Sequence, residues 1–362
     1  MDDRALMERA LVLAERGRGT TSPNPMVGAL VVDDEGVIVG DGHHERAGSP
    51  HAEVHALDAA GPLARGATLI CTLEPCSHTG RTGPCTERIV AAGIKRVVAA
   101  VGDPNPLVAG RGFDFLRAHG VEVESGLMAG EAAALNAEFF TYIRHRRPFV
   151  IAKAGVSLDG AVAAARGMRT AITGPESRRR AQRLRAEVDA IAVGSETVLV
   201  DDPLLTVRDV FRERPLVRVV FDRRLRTSPT ARLFTTRSQG PVWIVTTSEA
   251  RVACPEACDA LVAGGAELLE TDDGSMGSAM RLLGGRGVMS LLLEGGPAVQ
   301  QAAWDAGMID RVMLFVSPTV VGPSGVPLLP PSSHFASFTL DRRRAEPCGD
   351  DVLIAGDVHR AD

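Results

Sequence analysis

The chain of 362 residues is 45% hydrophobic and 23% charged, which is long for one core and suited to two domains. A formal net charge of −5 and only 4% aromatic residues argue against nucleic-acid or membrane-surface binding, which relies on basic patches and stacking platforms. No apolar run approaches the ~18 residues of a membrane span and the acidic start lacks the plan of a secretory signal, so a cytoplasmic location is expected.

Asp3 to Arg16 reads as a helix stopped by Gly17. "VGALVVD" and "VIVG" read as strands joined by "DDEG". Ser49 as N-cap and Pro50 at the first position predict a helix through Ala60, with His51 and Glu53 in its first turn. "ATLICTLEP" reads as a buried strand and "PCTERIVAAG" as a second Pro-initiated helix. "IKRVVAAV" and "VEVESG" read as strands separated by the helix "GFDFLRAHG". "EAAALNAEFFTYIRHRRP" reads as one closing helix, and the basic run Arg144 to Arg147 marks a boundary. Beyond Pro148 a second alternation begins. Strands are expected at "FVIAKAGV", "DAIAVGS", "LVRVVFD", "PVWIVTT", "VMSLLLEGG" and "IDRVMLFVSP", with helices at "PESRRRAQRLRAEV" and "PAVQQAAWDAG". The fold class is therefore α/β with two domains, 1–147 and 148–362, and no internal repeat links them.

The first half holds the sharpest chemical signal. In a reducing compartment the six cysteines are expected to be thiols or metal ligands. His51, Cys76 and Cys85 offer one imidazole and two sulfurs, a set suited to zinc. Three protein ligands leave a fourth position for water, the catalytic arrangement, and bound zinc brings the pKa of that water to about 7. Glu53, two residues beyond His51, is placed to carry the proton from water to the ring nitrogen and the leaving amine. His-x-Glu followed by two Pro-Cys pairs matches the zinc deaminases of nucleobases. The spacing departs from that pattern: eight residues, Ser77 to Pro84, separate the cysteines instead of two. Each cysteine follows a proline at an expected helix start, where the positive helix end favours thiolate. The alternative is a closed structural zinc site with His78 or His55 as fourth ligand. Cys71 is expected in the core, Cys254 and Cys258 as inert thiols, and His119 and His145 on the surface.

The second half lacks a G-x-G-x-x-G fingerprint. "LLLEGGPAVQQAA" offers a buried strand, a Glu-Gly-Gly turn and a helix begun by Pro297, where Gly295 and Gly296 would let backbone approach a phosphate. By itself that is a weak signal, since such a turn is commonly structural.

The residues "PNPMVGALVV", "GHHERAGSPHAEVHAL", "TLEPCSHTGRTGPC" and "DPNPLVAGRG" resemble the deaminase half of the bacterial bifunctional riboflavin-biosynthesis deaminase–reductases. "KAGVSLDG", "RLRAEVDAIAVGSETVLVDDPLLTVR" and "LLLEGGP" resemble their reductase half. The resemblance implies a cytidine deaminase-like first domain and a dihydrofolate reductase-like second domain. It implies zinc-dependent deamination of a phosphorylated diaminopyrimidine, then NADPH reduction of its ribosyl group to ribityl. It assigns zinc to His51, Cys76 and Cys85, proton transfer to Glu53, and deaminase-substrate contacts to Asn24, His43, Arg81 and Asn105. It assigns the cofactor to Gly155, Ala171, Thr197, Asp201 and Gly296, and the reductase substrate to Lys153, Arg169, Arg185, Leu205, Arg208 and Glu294. The arginines are expected on the substrate phosphate. Arg223 or Arg224 either pairs with the cofactor 2′-phosphate or forms a solvated turn. One departure stands out: where the family carries Ser-x-Trp, this chain has Arg169 and Ala171. An active deaminase with an impaired reductase half is therefore an alternative, as is a zinc-stapled binding module. The expected partner is a small phosphorylated pyrimidine, with no nucleic acid or membrane, and a homo-oligomer is left open.

Overall fold

The computed structural model describes residues 2–77, 83–106, 108–329 and 339–359. The chain divides into two units, Met1–Arg146 and Arg147–Asp362. Arg147 goes with the second because its buried guanidinium grips Asp310 at 2.6 and 2.8 Å.

The first unit runs α1 (Asp3–Ala14), β1 (Gly28–Val32), β2 (Ile38–His43), α2 (Ala52–Ala60), β3 (Thr68–Cys71), α3 (Cys85–Ala91), β4 (Arg96–Ala99), α4 (Arg111–Ala118), β5 (Glu122–Ser125), α5 (Ala129–Leu135) and α6 (Ala137–His145). Its sheet has the order β2-β1-β3-β4-β5. The pairs of β1 are antiparallel, and β3, β4 and β5 run parallel. Every residue of β1 is buried, because α1 lays Leu6, Met7, Ala10 and Leu13 into a core shared with Leu30, Ile70 and Val98.

Three sequence expectations shift. The helix expected from Ser49 starts at Ala52, so His51 is its N-cap residue, with extended backbone. Cys76 lies in the irregular segment after β3, whereas Cys85 does open α3. The single closing helix is two helices. Asn136 breaks it because its side-chain amide is committed elsewhere: Oδ1 accepts from Met26 N–H (2.7 Å) and Nδ2 donates to Met26 C=O (2.8 Å).

The second unit runs β6 (Phe149–Val156), β7 (Ala161–Ala163), α7 (Pro175–Glu187), β8 (Ala190–Gly194), α8 (Ser195–Asp201), β9 (Val217–Phe221), β10 (Val242–Thr247), α9 (Ser248–Ala253), α10 (Pro255–Gly264), β11 (Ala266–Thr271), α11 (Met276–Gly285), β12 (Ser290–Leu293), α12 (Pro297–Asp305), β13 (Arg311–Val316), β14 (Val326–Pro327), β15 (Leu340–Cys348) and β16 (Asp351–Val358). The large sheet has the order β11-β10-β9-β8-β12-β6-β13-β16-β15, and β14 pairs with β7 separately. Neighbours from β11 to β13 are parallel, whereas β16 is antiparallel to both β13 and β15. The central strands read as unbroken apolar runs because helices cover both faces: β12 is buried at every position.

Candidate functional site

His51, at the start of α2, and Cys85, at the start of α3, meet Cys76 from the segment after β3. The three ligand atoms lie within 4.8 Å of one another. His51 Nδ1 is 3.2 Å from Cys85 Sγ and 3.5 Å from Cys76 Sγ. A tetrahedral zinc with Zn–S of ~2.3 Å and Zn–N of ~2.0–2.1 Å spaces its nitrogen and sulfur ligands by roughly 3.6 Å. The donor set thus fits that ion in identity and spacing. The Cys85 N–H donates to Cys76 Sγ at 3.4 Å. Cys76 is pushed down to about 4, first by the bond from the Cys85 thiol and also by His51. The Cys85 thiol is pushed up, chiefly by that same bond. His51 is raised, first by its bond to Cys76.

Glu53 sits in the first turn of α2 and is 4% exposed. Burial, above all, pushes its carboxyl up from the ordinary value, against the lowering influence of His51. A carboxyl held in this way can both accept and return a proton. Cys71 is fully buried and its thiol is raised well above the ordinary value by burial, as expected of a core residue.

The site opens into a cavity of about 420 Å³ whose lining includes Asn24, His44, His51, Glu53, Cys76 and Asn105. Of the residues expected to contact the deaminase substrate, Asn24 and Asn105 line this cavity. His43 does not: it closes β2 and its charged neighbours are Glu45, Arg16, His55 and Asp41. The next residue, His44, faces the cavity instead, because successive residues of an extended segment point opposite ways. Its Nδ1 meets the Pro50 carbonyl at 3.1 Å and its Nε2 meets Asn24 Nδ2 at 3.0 Å. Arg81 and His78 lie outside the described residues. His55 is not among the clustered ligand atoms. Glu74, a lining residue not singled out from sequence, has its carboxylate turned to backbone N–H groups of the segment that carries Asn105.

In the second unit Glu294, at the end of β12, is 9% exposed along its side chain and takes a two-pronged bond from Arg185 of α7 at 2.8 and 3.0 Å. Lys153 Nζ, from β6, is 3.9 Å from the same carboxylate. Burial disfavours the Glu294 charge, yet Arg185 and Lys153 overcome it and hold the carboxyl at about 2. Arg185 also donates to the Thr206 carbonyl at 3.0 Å. Three of its five guanidinium N–H groups are therefore taken up within the protein. Arg208 is exposed. Leu205 is buried, with φ 54° in the left-handed region. The Thr197 hydroxyl accepts from Gly296 N–H at 3.4 Å, joining α8 to the start of α12. Asp201 is raised by burial, with Arg169 opposing. Ala171 and Arg169 are exposed. A Cβ on Gly155 would meet Thr173 at 2.8 Å.

A second cleft of about 440 Å³ lies at the C-terminal ends of β8, β9 and β10, and its lining includes Ser195, Arg223, Arg224, Arg226, Thr246 and Ser275. Ligands of parallel α/β sheets bind at this end of the strands. Asp222 shapes the turn by accepting from Thr227 N–H and Oγ1, both at 2.7 Å. Arg226 is held by Glu196 and Ser195 at 3.1 Å each. Arg223 and Arg224 are exposed and line this cleft.

Comparison with known proteins adds sequence and structural relatives. Residues 1–101 match the cytidine and deoxycytidylate deaminase zinc-binding region, and residues 148–354 match the RibD C-terminal domain. Over 354 residues the chain is 42% identical to the riboflavin biosynthesis protein RibD of Aquifex aeolicus (strain VF5), with 97% of each chain covered. The Escherichia coli (strain K12) protein of the same name is 43% identical over 336 residues, 89% of each chain. The solved structure of Acinetobacter baumannii RibD, form 1, is 34% identical and covers 99% of both chains with a TM-score of 0.87. A diaminohydroxyphosphoribosylaminopyrimidine deaminase/5-amino-6-(5-phosphoribosylamino)uracil reductase from Thermotoga maritima is 35% identical over 99% of both chains, with a TM-score of 0.85.

Proposed function

The chain belongs to the RibD family of riboflavin biosynthesis proteins, and from that premise we propose how its residues divide the work. It is a bifunctional enzyme, a deaminase and a reductase, that uses zinc and NADPH. Residues 1–147 act as the deaminase domain and residues 148–362 as the reductase domain. The substrate is a small phosphorylated pyrimidine, first 2,5-diamino-6-(5-phosphoribosylamino)pyrimidin-4-one and then its deaminated product. Among the described residues no helix is long and apolar enough to cross a membrane, and we place the enzyme in the cytoplasm.

The observation that carries the deaminase reading is a buried carboxyl, Glu53, beside a His-Cys-Cys cluster that opens to a cavity. His51, Cys76 and Cys85 would hold zinc, which supplies a Lewis acid that makes water a nucleophile at neutral pH. Replacing the ring amine by oxygen requires water to give up protons and the amine to gain one. Glu53 serves twice: its carboxylate oxygen takes one proton from water and passes it to the ring nitrogen, then takes the remaining hydroxyl proton and passes it to the amine, which leaves as ammonia. Asn24, His44 and Asn105 orient the base by hydrogen bonds from the cavity wall. Arg81 is assigned to the phosphate on the family resemblance.

In the second domain NADPH supplies the hydride, so the protein's part is to hold cofactor and sugar in register. The cleft with Arg223 and Arg224 takes the phosphorylated adenosine end, since forked guanidiniums suit phosphate oxygens. Thr197, Asp201, Gly155 and Gly296 lie toward the nicotinamide end. Lys153, fixed by Glu294, faces the sugar, while Arg185 locks Glu294 and the Thr206 segment in place. Arg208 and Arg169 remain as exposed cations for the substrate phosphate.

One preparation tests both halves. With the diaminopyrimidine, ammonia should appear, and with the deaminated product, NADPH absorbance should fall. A flat NADPH trace would mean that Arg169 and Ala171, in place of Ser-x-Trp, have disabled the reductase.

A further inference from the structure

The segment from Asp103 to Gly112 (Leu107 lies outside the described residues) carries Asn105 to the cavity wall. A buried side chain fastens it. Glu74, 3% exposed, accepts three backbone N–H groups: Oε2 from Asp103 at 3.1 Å and Gly110 at 3.0 Å, and Oε1 from Gly112 at 2.9 Å. The segment also lies flush on the backbone beside Glu74, since a Cβ at Gly112 would stand 2.1 Å from the Pro75 carbonyl oxygen. Glu74 is two residues from Cys76. One short stretch, 74–76, therefore bears both a ligand of the metal cluster and the clamp on the opposite wall. Only a carboxylate accepts at both oxygens; a glutamine of the same shape would set an N–H against a backbone N–H at one end.

We propose that Glu74 is a positioning residue that sets Asn105 at a fixed place relative to Cys76, and so governs how the pyrimidine is held. This rests on the reading of Asn105 as a substrate contact. The geometry makes Glu74 act through Asn105, and a double-mutant cycle exposes that dependence.

The test uses the full-length zinc-loaded enzyme with Glu74→Gln, Asn105→Ala and the double variant. Metal content, ammonia-release kinetics and amide hydrogen exchange are measured on each. Glu74→Gln should keep its zinc, raise KM roughly tenfold with a smaller change in kcat, and speed exchange only between Asp103 and Gly112. In the Asn105→Ala background the same substitution should change KM by less than about twofold. Gly112→Ala, which wedges the segment away from Pro75 and Glu74, should reproduce the rise in KM even if Glu74→Gln does not fold. An unchanged KM, an equal penalty in both backgrounds, or loss of zinc in Glu74→Gln would overturn the proposal. A wild-type enzyme that releases no ammonia would instead overturn the deaminase reading, and the clamp would then stand or fall on exchange between Asp103 and Gly112.

Discussion

Two carboxylates, Glu53 and Glu294, show how neighbours decide what a side chain does. Glu53 is buried and held above the ordinary range, so it is suited to trafficking protons. Glu53→Gln keeps the shape and removes the base. Ammonia release should drop by roughly 10²–10⁴-fold, while metal analysis should still find zinc on His51, Cys76 and Cys85. Glu294 is less deeply buried and faces two cations that hold it at about 2. Its folded value lies below its ordinary 4.5, so its contribution to stability is complete above that value and is lost as pH falls toward 2. Urea midpoints of the second domain should therefore fall between those pH values. Glu294→Gln should be less stable at pH 7, with Arg185 left buried and unpaired, and should lack that part of the acid slope. The metal cluster and Glu53 were legible in sequence because residue type and spacing carry the chemistry. His44 was mistaken for His43 because two adjacent histidines differ only in which way the strand end turns them. Glu74 escaped notice because a carboxylate that binds backbone amides leaves no pattern in side-chain identity.

Among the elements, α7 has Gly174 at its N-cap, with no side chain to cap it. A carboxylate from β16 takes that part: Asp351 accepts from Gly174 N–H at 2.8 Å and from Ser177 Oγ at 2.5 Å. Asp351→Ala should lower the stability of the second domain by about 1–3 kcal/mol, read from urea titration, because a buried and a half-buried donor lose their acceptor. The Glu-Gly-Gly turn also has a packing reason. A Cβ on Gly295 would stand 1.9 Å from Val299 Cγ1 and 3.2 Å from Gly194 N, so α12 docks only over a glycine. Gly295→Ala should cost about 1–3 kcal/mol, and a variant as stable as wild type would refute that account. Most strands were legible from apolar runs. The pair β15 and β16 was not, since β15 is an edge strand of mostly exposed residues, including Arg342 to Arg344, and reads like a loop. The break between α5 and α6 was hidden for a different reason. Asn136 is tolerable in a helix, and its partner Met26 lies 110 residues away.

For the molecule as a whole, the alternation of strands and helices in two blocks did reveal the α/β class and the need for two cores, because burial period survives in any sequence. The residues of the metal cluster all belong to the first unit. A chelator should therefore abolish ammonia release while leaving NADPH oxidation of the deaminated substrate intact, and parallel inhibition of both rates would refute the division of labour.

The bond between Asn136 and Met26 also bears on biogenesis. One cavity wall, Phe139, is supplied by the helix that follows Asn136, near the end of the first unit. Ribosomes extend chains at about 5–20 residues per second, so the amine-removing chamber stays unfinished until its last helix has emerged. A nascent polypeptide released before that point would carry every metal-binding residue, yet lack the strut that closes the chamber around them.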